Sequence, residues 1–163
     1  MKSLKKYYGK FIQHFTKNIK NHIHNELIIK ITEQRALSCK DSLLNSEKRE
    51  DEIIVSLTTF GKRINWVFLA IESIAQQTLK PDKVILWLSE DYFNDKNLPI
   101  TIERLIKRGL TVFYRKDIGP HTKGLYAFQE YSKNIIITVD DDIIYPIDLI
   151  ENLYNLHIEN KSG

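Results

Sequence analysis

Apolar residues follow two rhythms along this chain. In the first thirty residues Leu4, Tyr8, Phe11, Phe15, Ile19 and Ile23 recur every three or four positions with lysines between them, as on one face of an amphipathic helix. From residue 53 the apolar residues come in short, almost unbroken runs, at 53–58, 84–88, 111–114 and 135–139. Runs of this kind, rich in Val and Ile, are expected of strands covered on both faces. Helical stretches are predicted between and after them, over 65–77, 98–108, 124–132 and 147–159. Gly109 stands where a helix would stop before the third strand, and Pro81-Asp82 occupies the turn before the second. Strands and helices alternating in this way predict an α/β fold with a Rossmann-like parallel sheet and right-handed crossovers. The expected organisation is a basic helical segment and polar linker over 1–50, then an α/β domain over 51–163.

Charge refines the picture of the first segment. Residues 1–30 hold seven lysines and one acid, Glu26, for a charge of +6, so the net +3 of the chain leaves the remainder at −3. Basicity therefore belongs to the segment, and nothing points to a nucleic-acid-binding domain. A basic helix with Tyr7, Tyr8 and Phe11 on it suits peripheral contact with an anionic membrane leaflet, or packing against the domain with its lysines solvated. No apolar run approaches the roughly 20 residues needed to cross a bilayer. One cysteine, Cys39, allows no internal disulfide and no cysteine-built zinc site. With no secretion signal, the expected location is cytoplasmic, with membrane contact on the inner face if the segment makes any.

In parallel α/β sheets ligands bind beyond the carboxyl ends of the strands. There the first strand runs into Thr58-Thr59, the second into Ser89-Glu90-Asp91, the third into the 115–124 loop, and the fourth into Asp140-Asp141-Asp142. Two like charges about 4 Å apart repel by roughly 4 kcal/mol at an effective dielectric near 20, so three adjacent carboxylates call for a counter-charge. A divalent cation on oxygen ligands would supply it. Strand alternation would send Asp140 and Asp142 to one face and Asp141 to the other. The alternative is that one Asp caps the next helix while the others are solvated. Core packing is expected for Trp66 and Trp87, and a structural or solvated role for His121.

These residues together resemble the nucleotide-sugar-binding half of GT-A-fold glycosyltransferases related to family 2, of the kind that build bacterial polysaccharide and lipooligosaccharide. The resemblance rests on 54–59, the 70–78 stretch with Ser73 and Gln76-Gln77-Thr78, the 117–124 loop, and 138–146 with its DXD-like triplet and Pro146. It implies that Asp140, Asp141 and Asp142 hold Mn²⁺ or Mg²⁺ against the diphosphate of a nucleotide-sugar, a UDP-sugar above all. The DXD spacing selects Asp140 and Asp142 as the ligand pair, whereas counting back from Pro146 selects Asp141. By the same resemblance Thr58, Thr59 and Asp91 line the uridine and Lys123 serves the diphosphate, with Arg63 and Arg115 as further basic residues.

In that family the acceptor half and the catalytic base follow the DXD segment, yet here only 21 residues follow Asp142. No base can be named, and whether the chain is itself an enzyme stays open. The expectation is a truncated, incomplete GT-A-like domain, a donor-binding half completed by a partner chain, or an inactive remnant that keeps the fold. A receiver-type or haloacid-dehalogenase-type phosphotransfer domain would need an Asp on the first strand or acids on two strands, and Thr58-Thr59 argues against both.

Overall fold

The computed structural model describes the backbone of residues 2–161 and the side chains of Lys17, Lys20 and residues 22–161. Helix α1 spans Lys2–Ser38. Of its predicted apolar face, Leu4, Tyr8, Phe11, Phe15 and Ile19 lie outside the described side chains, and Ile23 is exposed.

Four strands follow: β1 (Ile53–Thr58), β2 (Lys83–Ser89), β3 (Leu110–Arg115) and β4 (Ile135–Thr138). They form one sheet in the order β3-β2-β1-β4, parallel throughout, with Val55 opposite Val84 on one side and Ile137 on the other. This is the expected Rossmann-like α/β arrangement. The chain winds outward from β1 through β2 to β3, then returns to lay β4 on the opposite flank of β1. A switch point therefore lies between the carboxyl ends of β1 and β4, where adjacent connections leave in opposite directions and a crevice opens.

Side-chain alternation divides the core between the two faces. Ile53, Val55, Leu57, Val84, Leu86 and Leu88 pack beneath α2 (Phe68–Ala75) and α3 (Ile100–Lys107), with Ile71, Ile74, Ile102 and Leu105. Ile54, Ile85 and Trp87 face the other way, onto Ala127 of α4 (Thr122–Glu130). Helix α5 (Leu149–Lys161) adds Ile150 to the larger cluster. Burial on both faces is why β1 and β2 read as continuous apolar runs.

Gly109 ends α3 at φ +113°, where a Cβ would meet the Leu44 side chain at 2.9 Å. Only glycine suits both the left-handed backbone and the close approach. The 39–52 segment is polar in composition, yet it lies along the domain, with Leu43 fully buried and its N–H donating to the Arg108 carbonyl at 2.9 Å. Arg108 in turn pairs with Glu72 of α2 in the interior and donates to the Asp41 carbonyl at 2.8 Å. Arg35 of α1 approaches the same Glu72 at 3.9 Å, and Thr32 and Ala36 beside it are buried. Thus α1, α2, α3 and the 39–52 segment meet around one buried carboxylate.

Candidate functional site

At the switch point, β1 ends in two threonines with different tasks. The Thr58 hydroxyl donates across the sheet to the Trp87 carbonyl at 2.9 Å. The Thr59 hydroxyl donates to the Asp141 carboxylate at 2.5 Å, in the interior. Asp141 is buried, and its second partner is Arg63 at 3.3 Å. Arg63 belongs to a short 3-10 helix, Gly61–Asn65, that precedes α2 and meets the helix predicted over 65–77 only at Asn65. Asp140 and Asp142 are exposed.

Lys123 reaches the same crevice from the first turn of α4. Its ammonium contacts the Asp140 carboxylate and donates to the Val139 carbonyl at 3.0 Å. The placement is set from below: Trp87 Nε1 donates to Ser56 Oγ at 2.8 Å, and Ser56 Oγ donates to the Lys123 carbonyl at 2.6 Å. The preceding loop is braced by Asp117, whose Oδ1 accepts the Gly119 N–H at 2.8 Å.

The end of α2 holds the chain that follows the carboxylates. Ser73 Oγ accepts the Tyr145 N–H at 3.0 Å, and Gln77 accepts from the Ile150 N–H at 2.9 Å while donating to the Pro146 carbonyl at 2.6 Å. Thr78 donates from its N–H to the Ile147 carbonyl at 2.9 Å and from its hydroxyl to Glu151 at 2.7 Å. Tyr145 then accepts the Asp140 N–H on its phenol oxygen at 2.6 Å. Burial raises the Tyr145 phenol above its ordinary value, and the charges of Asp140, Asp142 and Asp141 add to that rise against the opposing effect of the Asp140 N–H bond. Ser73, Gln77 and Thr78, noticed in sequence as a motif, are in space the bracket that fixes the carboxylate turn.

A cavity of about 460 Å³ opens between these groups. Thr58, Thr59, Lys123 and the three aspartates of the triplet line it, with Arg63, Asp117 and Phe60. Asp91 is exposed after β2 and is not among the lining residues. Arg115 is engaged elsewhere, pairing with Glu130 at 2.9 Å and lying over the Phe113 and Trp87 rings. His121 faces a separate shelf with Leu125, Phe128 and Ile136. Trp87 is fully buried as expected, whereas Trp66 is 59% exposed, because it falls in the bend between the 3-10 helix and α2. Phe60 escaped notice in sequence; it stands in the cavity wall, its ring edge-on to Tyr92 at 5.1 Å. The available signal was its position directly after the threonines, at a strand's carboxyl end.

The cavity carries four carboxylates (Asp117, Asp140, Asp141, Asp142) against two cations (Arg63, Lys123). An anionic ligand would meet net repulsion there unless further positive charge entered with it. All the acidic donors are oxygens, which suit a hard divalent cation. Among the described residues, however, no three His, Cys, Asp or Glu side chains gather closely enough to hold a metal ion. As it stands, Asp140 and Asp141 are balanced by Lys123 and Arg63, and among the described residues no hydrogen bond or ion pair engages the Asp142 side chain. No protein-family model matches the chain, and no curated protein matches it.

Proposed function

We propose that the chain binds a nucleoside-diphosphate sugar, a UDP-sugar by preference, in the switch-point cavity, as the donor-binding half of a GT-A-type glycosyltransferase. One observation carries the reading: Thr58, Thr59, Lys123 and the Asp140–Asp142 triplet, nominated separately along the chain, line a single cavity at the carboxyl ends of β1 and β4. The exposed Phe60 ring offers an apolar wall to a nucleobase, and Arg63 and Lys123 offer positive charge to a diphosphate. In this reading Asp140 and Asp142 would hold Mn²⁺ or Mg²⁺. The ion would neutralise charge on the departing diphosphate and offset the carboxylate excess. Thr59 and Arg63 keep Asp141 in place, and the Tyr145 phenol steadies the Asp140 backbone. Lys123, now on Asp140, would serve the diphosphate once a cation took its place there.

The basic stretch of α1 belongs to the same proposal as a peripheral membrane contact, its described lysines Lys17, Lys20 and Lys30 being exposed. Among the described residues no helix is long and apolar enough to cross a membrane. A second reading, a domain that keeps the fold without donor affinity, is favoured by one observation: Asp140 and Asp141 already have internal cationic partners.

Thermal unfolding in Mn²⁺ with UDP, ADP or pyrophosphate separates the two. A ligand at a hundredfold excess over its Kd stabilises by about 2.7 kcal/mol, a readable rise in Tm. The donor reading expects that rise with UDP and less with the others; no rise with any of them supports the second reading.

A further inference from the structure

Strand β4 lies at one edge of the sheet, and its outer side carries backbone groups that no strand meets. The Ile135 and Val139 N–H groups point toward β1, donating to the carbonyls of Glu52 at 2.9 Å and Ser56 at 3.0 Å. By strand alternation the N–H and C=O groups of Ile136 and Thr138 point the other way. Among the described residues β4 pairs with β1 alone. We infer that this edge joins a second copy of the chain, two β4 strands pairing antiparallel about a twofold axis at Ile137. Ile136 of each copy then lies opposite Thr138 of the other, and each such pair exchanges both of its N–H···O bonds.

The composition of β4 does not deter such pairing. Exposed edges are commonly blunted by a charge or a proline. The other edge strand, β3, ends in Arg115, whereas β4 reads Ile-Ile-Ile-Thr. Beside β4, Leu125 and Phe128 of α4 form a shelf with Ile136 and Thr138. Ile136 and Thr138 point to the same face, so the register through Ile137 brings the two shelves together, each covering part of the other.

Charge selects both the occupant and the direction. Lys133, just before β4, is exposed and has no ion-pair partner among the described residues. The Asp140–Asp142 turn follows the strand, and there the Asp142 side chain likewise has no hydrogen bond or ion pair among the described residues. Antiparallel pairing lays Lys133 of each copy alongside the aspartate turn of the other. A parallel arrangement would instead set aspartates against aspartates, at a Coulombic cost. The patch is therefore complementary to itself, as an isologous dimer requires. A strand from an unrelated protein would satisfy the backbone groups without that match. Lys133, Ile136 and Thr138 do not line the first cavity, so the pairing is independent of the donor reading.

Sedimentation of the full chain from low to high micromolar concentration tests the inference. A monomer–dimer equilibrium is expected, with amide exchange over 134–139 slowing as the dimer fills. Thr138→Pro removes an outward N–H and leaves the β1 ladder intact, a place where an edge strand tolerates proline. Lys133→Glu sets like charge beside the aspartates. Each should weaken the dimer about tenfold with circular dichroism unchanged, and the effect of Lys133→Glu should shrink at high salt. Because Lys133 is exposed, that variant decides the matter if Thr138→Pro fails to fold. A chain that stays monomeric at high micromolar concentration overturns the inference. So does a dimer that Lys133→Glu leaves equally tight with exchange over 134–139 unchanged, which would place the contact elsewhere, as on α1.

Discussion

The Thr59 hydroxyl donates to the Asp141 carboxylate at 2.5 Å, joining the end of β1 to the turn beyond β4 across 82 residues of sequence. Both side chains are buried, so the bond replaces solvation that neither group retains. It also orders the turn that presents Asp140 and Asp142 to the cavity.

Removing the donor leaves a buried carboxylate with Arg63 as its remaining partner. Thr59→Val, which keeps the shape, should therefore cost about 1–3 kcal/mol. Thr59→Ser should recover most of it. Urea midpoints at constant m-value give the comparison, and a Val variant as stable as the parent would show that the bond contributes nothing.

The interior pair of Glu72 and Arg108 should be the most sensitive charge site in the domain. Both side chains are almost fully buried, and Arg108 also reaches the Asp41 carbonyl. Breaking such a pair from one side leaves Glu72 to the more distant Arg35, at 3.9 Å, and costs up to about 3–5 kcal/mol. Arg108→Met should lose that much, and Arg108→Met with Glu72→Leu should regain a large part. If the double variant is no better than the single one, the penalty is not the orphaned charge.

Lys123 sits on the Asp140 carboxylate, so it occupies the position a divalent cation would need. Lys123→Gln should tighten Mn²⁺ binding about threefold, since a competing cation is gone, while weakening UDP binding in Mn²⁺ about tenfold, or 1.4 kcal/mol. Manganese electron paramagnetic resonance reads the first effect and calorimetry the second. Movement of both affinities in the same direction would contradict this division of roles.

Alkaline pH should loosen the carboxylate turn. Burial, with the neighbouring aspartates, raises the Tyr145 phenol above 10.0 in the folded chain. A folded value above the unfolded one means that Tyr145 contributes stability fully below the unfolded value, and that this is lost as pH rises through the folded one. Tyr114 and Tyr131 are raised as well, so the parent should lose stability steadily above pH about 10. Tyr145→Phe should shallow that decline and, at pH 7, cost about 1 kcal/mol through the lost Asp140 N–H acceptor. Urea midpoints across the alkaline range test both parts; a steeper decline in the variant would reverse the assigned sign.

Much of the fold is legible in the chain because burial on both faces of a parallel sheet writes itself as continuous β-branched runs. All four strands fall where those runs predict, to within a residue or two. Helix α2 begins three residues later than predicted: Asn65 closes the 3-10 helix and Trp66 and Val67 form the bend before α2, a break that apolar periodicity does not mark. That offset is what leaves Trp66 on the surface. Leu43 shows a different limit: set among polar residues, it has no periodic neighbours, and its partner Arg108 is far away in sequence. At the site, residues at strand ends were visible because topology fixes where strand ends point. Asp91 also follows a strand end, but β2 lies one strand from the switch point and its turn leads away from the cavity. Phe60 and the pairing of Asp141 with Thr59 depend on where loops fold back, which spacing alone does not encode.

The central claim is best met by calorimetric titration of UDP into the full chain, with and without Mn²⁺, beside an Asp140→Asn/Asp142→Asn variant shown by circular dichroism to be folded. The account predicts saturable UDP binding by the parent in Mn²⁺, and its loss when either the ion or the two carboxylates are removed. No heat of binding from the folded parent in Mn²⁺, or binding indifferent to both carboxylates, would contradict it.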